Sequence, residues 1–241
     1  MLKPVKALSF DLNSTLLDGS RGREAIIRTC RDIAAQTGLD PGRLFEANSQ
    51  VWQGYWPQVE DKWTLGVLDG EAVSLEAWRR TLLICGCDDE SLARGARESH
   101  RQYGLEALRL FDDVPQVFSL LKTGLSCALV TNGASDTQRD ALRVLGIERH
   151  FGAVVISGEV GIAKPHASIF GFALEKLGVE PENVWHVGDS LTARVAGAKA
   201  AGISAVWLNR GGLPWKEGDP KPDYEIQSLT EIAALLGKTQ P

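Results

Sequence analysis

Apolar residues recur along this chain with two different periods, and the change between them divides it. Val5 to Phe10 is a mostly apolar run of strand length that ends in Asp11, with the turn-forming Asn13 and Ser14 close behind. Asp11 is therefore expected at the carboxyl end of a buried strand, the end where ligands collect in an open parallel sheet. After the turn-rich Asp18-Gly19-Ser20-Arg21-Gly22, helical spacing takes over. Ile26, Ile27, Cys30, Ile33 and Ala34 predict one amphipathic helix, stopped at Gly38. Leu44, Val51, Trp52 and Tyr55 predict a second, ended by Trp56-Pro57. Leu75, Trp78, Leu82 and Leu83 predict a third with Ser74 as its N-cap, and Leu92, Ala96 and Tyr103 a fourth capped by Asp88. Residues 18–106 thus read as helical throughout.

From residue 107 the pattern alternates. Short apolar strands at Ser126–Val130, Ala153–Ile156, Val184–Val187 and Ser204–Leu208 are separated by helical stretches around Val117, Leu142, Phe170 and Ala198. This alternation predicts an α/β fold, a parallel sheet with helices on both faces. The opening strand belongs to that sheet, so residues 1–17 and 107–241 form one domain and 18–106 an all-helical insert.

Charge narrows the partners. A net charge of −5 with scattered Lys and Arg leaves no basic field for nucleic acid. Asp11 interrupts the only early apolar segment before it resembles a signal peptide, and no apolar run nears membrane-spanning length. A cytoplasmic protein, monomer or homodimer, is expected. Cys30, Cys85, Cys87 and Cys127 fall mostly on apolar positions and read as reduced core thiols. His100, His150, His166 and His186 show no helical spacing suited to a metal pair. Trp52, Trp56, Trp63 and Trp78 fit a helical core, while Trp56 and Trp63 also suit exclusion of water from a substrate.

Each predicted strand end carries polar chemistry. Asp11 follows the first strand, Thr131 and Asn132 the second, and Asp189 the fourth, while Lys164 lies in the Gly-rich loop after the third. In a parallel sheet these ends share one edge, so two carboxylates, a hydroxyl, an amide and an ammonium converge. That set suits in-line phosphoryl transfer: a carboxylate attacks phosphorus, donors neutralise the equatorial oxygens, and paired carboxylates hold Mg²⁺.

In four places the sequence resembles the haloacid dehalogenase-like hydrolase superfamily, of the kind with a helical cap inserted after the first strand. These are Phe10-Asp11-Leu12-Asn13-Ser14-Thr15-Leu16, Val130-Thr131-Asn132-Gly133, Lys164-Pro165 and His186-Val187-Gly188-Asp189-Ser190. The resemblance implies a Rossmann-like core and a phosphomonoesterase acting on a small phosphorylated metabolite. It further implies Asp11 as nucleophile, Thr131 and Lys164 as phosphate ligands, and Mg²⁺ held by Asp11 and Asp189, with the backbone carbonyl of Asn13 available to it. Thr15 in the first motif and Arg21, Trp56 and Trp63 in the cap are candidates for shaping substrate choice.

Two positions depart from the family pattern. Asn13 stands where its phosphatases carry the Asp that acts as general acid and base, and Arg194 stands where an acidic residue is usual. An amide exchanges no proton near neutral pH, and general acid–base assistance is typically worth ~10²–10⁴ in rate. A unit charge ~4 Å away is worth on the order of 4 kcal/mol at an effective dielectric of ~20, so Mg²⁺ is expected to bind poorly. Arg194 either reaches Asp189 or Asp11 and takes the metal's place, or points to solvent. Activity is expected to be weak or lost. Alternatives are a 2-haloacid dehalogenase and a non-catalytic relative that binds a phosphorylated ligand or partner. Against the dehalogenase stand Asp189-Ser190-Leu191, where its pattern is Ser-x-Asn, and Phe170, where it carries Tyr.

Overall fold

A computed structural model describes residues 4–121 and 124–239. Six strands form a parallel sheet: β1 (Ala7–Phe10), β4 (Ser126–Thr131), β5 (Ala153–Ile156), β6 (Val184–Gly188), β7 (Ser204–Leu208) and β8 (Tyr224–Ile226), in the spatial order β5-β4-β1-β6-β7-β8. Two short strands, β2 (Leu17–Asp18) and β3 (Arg109–Leu110), pair separately. Every residue of β1 and β6 is buried, as a central strand covered on both faces requires.

The strand order fixes where chemistry belongs. The chain passes from β1 outward through β4 to β5, then returns to the other side of β1 for β6, β7 and β8. That reversal makes β1 the switch point, and the crevice at its carboxyl end is the place where side chains and ligands are not crowded by crossovers. Ala7 pairs with Ser126 on one side and Val184 on the other, so β1, β4 and β6 run in step toward that edge.

The chain packs as two compact units. The sheet unit holds described residues 4–18, 110–121, 124–132 and 146–239, and its helices are α5 (Val114–Leu121), α7 (Ser157–Val160), α8 (Ser168–Leu177), α9 (Ala196–Ala200) and α10 (Ile232–Thr239). Val130, Val155, Ile169, Phe170, Val184 and Trp207 are among its buried core.

The helical unit holds residues 19–109 and 133–145, with α1 (Gly22–Thr37), α2 (Pro41–Thr64), α3 (Gly70–Ile84), α4 (Glu90–Ala107) and α6 (Ser135–Leu145). Sequence periodicity places 133–145 with the sheet; in space α6 packs with α3 and α4, and Asp136 accepts hydrogen bonds from the exposed N–H groups of Gly70 and Glu71 at 3.0 and 3.1 Å. A carboxylate at a helix start satisfies donors that have no intrahelical partner. Ile33, Leu44, Trp78 and Leu82 bury one core of this unit, and Val51, Tyr55, Val59, Val73 and Ala77 a second.

Three local expectations are corrected. The second helix does not stop at Trp56-Pro57 but runs through Pro57 to Thr64. Tyr55 and Val59 are buried on either side of the proline, and Gln53, whose carbonyl loses its partner there, is exposed to water. The third helix is capped by Asp69, whose carboxylate accepts from Ala72 N–H at 2.7 Å, and Ser74 lies inside it. Asp89 caps the fourth, not Asp88. At both caps the carboxylate accepts from the N–H three residues on. The four cysteines are free thiols, Cys30, Cys85 and Cys127 buried. Among the described residues no helix is long and apolar enough to cross a membrane.

Candidate active site

Asp11 leaves the end of β1 almost wholly buried, its N–H donating to Val187 O at 3.0 Å. A tight turn follows. The N–H groups of Leu16 and Leu17 both donate to Leu12 O, at 2.9 and 2.8 Å, and Ser14 takes a left-handed φ of 61° to allow it. This turn buries Thr15, whose hydroxyl reaches Asp189 Oδ1 at 3.4 Å, and leaves Asn13 half-buried.

Lys164 extends from the loop between β5 and α8, where its peptide bond to Pro165 is cis. Asn132, at the end of β4, holds its backbone from both sides: Asn132 Nδ2 donates to Lys164 O, and Lys164 N donates to Asn132 Oδ1, each at 2.9 Å. The buried ammonium then donates to Asp11 Oδ1 and to Val130 O, the latter at 2.6 Å. Thr131 is fully buried beside Asn132 in sequence.

Arg194 approaches the same carboxylate from the other side. Its Nη2 lies 2.7 Å from Asp11 Oδ2 and its Nε 3.1 Å from Asp189 Oδ1, so one guanidinium bridges both acids. Of the two directions the sequence left open, Arg194 takes the inward one. The local backbone explains how: residues 191–195 form one turn of π-helix, with Val195 N–H donating to Ser190 O at 3.2 Å. Gly188 makes room for the stem, since a Cβ there would meet Arg194 Cδ at 2.6 Å.

The charges set one another. Burial pushes Asp11 toward the neutral acid, but Lys164 and then Arg194 outweigh it and hold the carboxyl below the ordinary range. Burial lowers Lys164, with the Asp11 charge opposing. Burial raises Asp189 above the ordinary carboxylate range, against the pull of Arg194 and with the push of Asp11. His186, buried and near Lys164, is held well below its ordinary value and stays neutral, its Nδ1 3.0 Å from Ser9 Oγ.

Asp11, Thr15, Asp189, Lys164, Arg194 and Asn132 are thus linked by direct contacts. Arg21, Trp56 and Trp63 belong to the helical unit, where Trp56 and Trp63 meet edge to face at 5.3 Å. Sequence reasoning missed the anchor of the turn after β1. Arg210 donates to Thr15 O at 3.0 Å and grips Asp113 bidentately at 2.8 and 2.9 Å, while Asp113 also accepts from Ser228 Oγ and Leu229 N–H, each at 2.9 Å. The available signal was position: Arg210 follows β7 as Asp11 follows β1, on the same sheet edge.

The sequence profile of the haloacid dehalogenase-like hydrolases matches residues 5–202. The chain belongs to that family. It is 34% identical to N-acylneuraminate-9-phosphatase from Mus musculus, an alignment covering 98% of this chain and 95% of the relative. Glyceraldehyde 3-phosphate phosphatase from Methanopyrus kandleri is 30% identical over 96% of this chain and 97% of its own. A crystal structure of 2-haloacid dehalogenase from Pseudomonas syringae pv. Tomato superposes with a TM-score of 0.70 at 24% identity, covering 98% of this chain and 100% of that one; the likeness establishes the fold. The protein is a hydrolase with phosphatases among its relatives. Phe170, the position where the family's dehalogenases carry Tyr, is fully buried against His186 at 4.9 Å and offers no hydroxyl.

The residues present do not suit the Mg²⁺ that the family implies. Mg²⁺ demands near-octahedral oxygen ligation at 2.0–2.1 Å, built on carboxylates. Here one oxygen of each facing carboxylate is engaged by Arg194 and the other oxygen of Asp11 by Lys164, while position 13 offers a backbone carbonyl but no further carboxylate. Among the described residues no three His, Cys, Asp or Glu side chains gather to hold a metal.

Proposed function

We propose that the protein hydrolyses a phosphomonoester of a small metabolite through an aspartyl-phosphate on Asp11, and that it does so slowly. The observation that carries this reading is one buried carboxylate at the switch point with a cation on each oxygen, Lys164 on Oδ1 and Arg194 on Oδ2. The two full-length relatives named as phosphatases of small phosphorylated compounds support the substrate class.

An Asp11 oxygen attacks phosphorus, forming the acyl O–P bond as the bond to the alcohol oxygen breaks. Lys164 and Arg194 stabilise the charge that spreads over the transferring group, and Thr131 supplies a hydroxyl donor. The departing alkoxide takes its proton from solvent water, because Asn13 has none to give. A water then attacks phosphorus, its proton passes to bulk solvent, and inorganic phosphate leaves with Asp11 restored as carboxylate. Both steps forgo general acid–base assistance, typically worth ~10²–10⁴, and turnover is reduced accordingly.

The test is phosphate release from a panel of sugar phosphates and an aryl phosphate, with acid-quenched mass spectrometry of the peptide bearing Asp11. A phosphorylated Asp11, absent in Asp11→Asn, is the expected result. Chloride release from 2-chloropropionate without phosphate release would move the site to haloacid chemistry. Silence in both assays, with retained binding of a phosphorylated ligand, would leave a binding protein.

A further inference from the structure

We propose that Arg194 is the resident cation of this site, filling the place between Asp11 and Asp189 so that the site works without a divalent metal and excludes one. Its catalytic half rests on the phosphomonoesterase reading above; its exclusion half does not.

Three observations converge. The guanidinium spans two carboxylates, at 2.7 Å from Asp11 and 3.1 Å from Asp189, which a metal entering there would have to displace. Charge is already balanced: Asp11 and Asp189 face Lys164 and Arg194, and a divalent ion would add two uncompensated positive charges beside a guanidinium. Finally, the position is built rather than incidental. Gly188 leaves the space through which the Arg194 stem passes, and the π-turn at 191–195 sets the residue's direction. Arg194 is 18% exposed, so the bridge sits in a half-dry setting where its charge is weakly screened.

Arginine also brings what a metal would supply in another form. Its planar fork carries five N–H donors; Nη2 and Nε face the two acids at ion-pair distance, and the remaining donors are left for the oxygens of a transferring phosphoryl group. Unlike a bound ion, it cannot be removed by a chelator.

The experiment is a titration of the purified wild-type chain with Mn²⁺, followed by electron paramagnetic resonance, and with Mg²⁺, followed by calorimetry, alongside Arg194→Gln, Arg194→Lys and Asp189→Asn. No saturable site that depends on Asp189 is expected in the wild type or in Arg194→Lys. In Arg194→Gln the site should appear, with affinity tightened ~10²-fold or more. Saturable binding in the wild type that Asp189→Asn removes would overturn the proposal, and so would the absence of any site in a folded Arg194→Gln. Should that variant not fold, the wild-type titration decides alone. Phosphate release by the wild type is expected to be unchanged by a chelator. A wild type that excludes metal yet releases no phosphate would remove the phosphomonoesterase reading and leave the exclusion standing.

Discussion

The sheet unit holds two Arg–Asp pairs built from the same chemistry and left in opposite conditions. Asp113 is gripped by both terminal nitrogens of Arg210 and also accepts from Ser228 and the backbone of Leu229. Its charge is answered by hydrogen bonds of good geometry, and the pair ties the turn after β1 to the neighbouring chain segments. Asp11 Oδ1 accepts from Lys164, but Oδ2, though within ion-pair distance of Arg194, is buried without a hydrogen bond; the Nε of each arginine is likewise unbonded, so the difference lies in the carboxylates. A carboxylate whose oxygens are both hydrogen-bonded holds structure, whereas one with an oxygen compensated in charge but not in hydrogen bonds keeps that oxygen available for reaction.

Substitutions can break this contrast. Asp11→Asn should abolish phosphate release to background while the fold, read by circular dichroism, persists. Asn13→Asp with Arg194→Asp should convert the site to Mg²⁺-stimulated turnover, raising kcat by on the order of 10²-fold or more as a general acid–base group returns. Failure of that pair to respond to Mg²⁺ would mean that the two departures do not account for slow turnover. Asp113→Ala should cost about 3 kcal/mol in urea unfolding, because it strands Arg210 in a half-buried place.

Acid should sharpen the difference further. Hydrogen bonds from Arg210, Leu229 and Ser228 outweigh burial and hold the Asp113 carboxyl below its ordinary value. A depressed folded-state value contributes stability that is fully present above the unfolded value of ~3.9 and is lost as pH falls through the folded value. The acid limb of the wild-type stability curve should therefore flatten in Asp113→Asn. The smallest effect is expected at Glu76 in the helical unit, held at about 2, chiefly by Arg79, with burial opposing and Arg80 assisting. Partly exposed, it should contribute only about 1 kcal/mol, lost between pH ~4.5 and about 2 and absent in Glu76→Gln.

The strand ends were legible because short apolar runs and the turn residues after them are local signals. Asp11, Thr131 and Asp189 could be put on one edge without coordinates, since parallel strands share their carboxyl ends. Helix bodies were legible for the same reason, but caps were not. Asp69 and Asp89 won over Ser74 and Asp88 by the reach of a carboxylate to one particular N–H, a matter of ångströms that residue type does not encode. Pro57 misled because the burial of Tyr55 and Val59 overrides a helix breaker only when the partner helix is in place.

By itself the sequence determined the alternating α/β sheet, the helical segment and the identity of the charges at the strand ends. Only the tertiary structure decided what those charges do to one another. Arg194 reads equally well as a solvent-facing residue until Gly188, the π-turn and two carboxylates are placed around it, and Arg210 carries no motif until Asp113, distant in the chain, meets it. Local chemistry fixes where a strand ends; the sign and strength of an electrostatic contact depend on distance and burial, and those exist only in the folded chain.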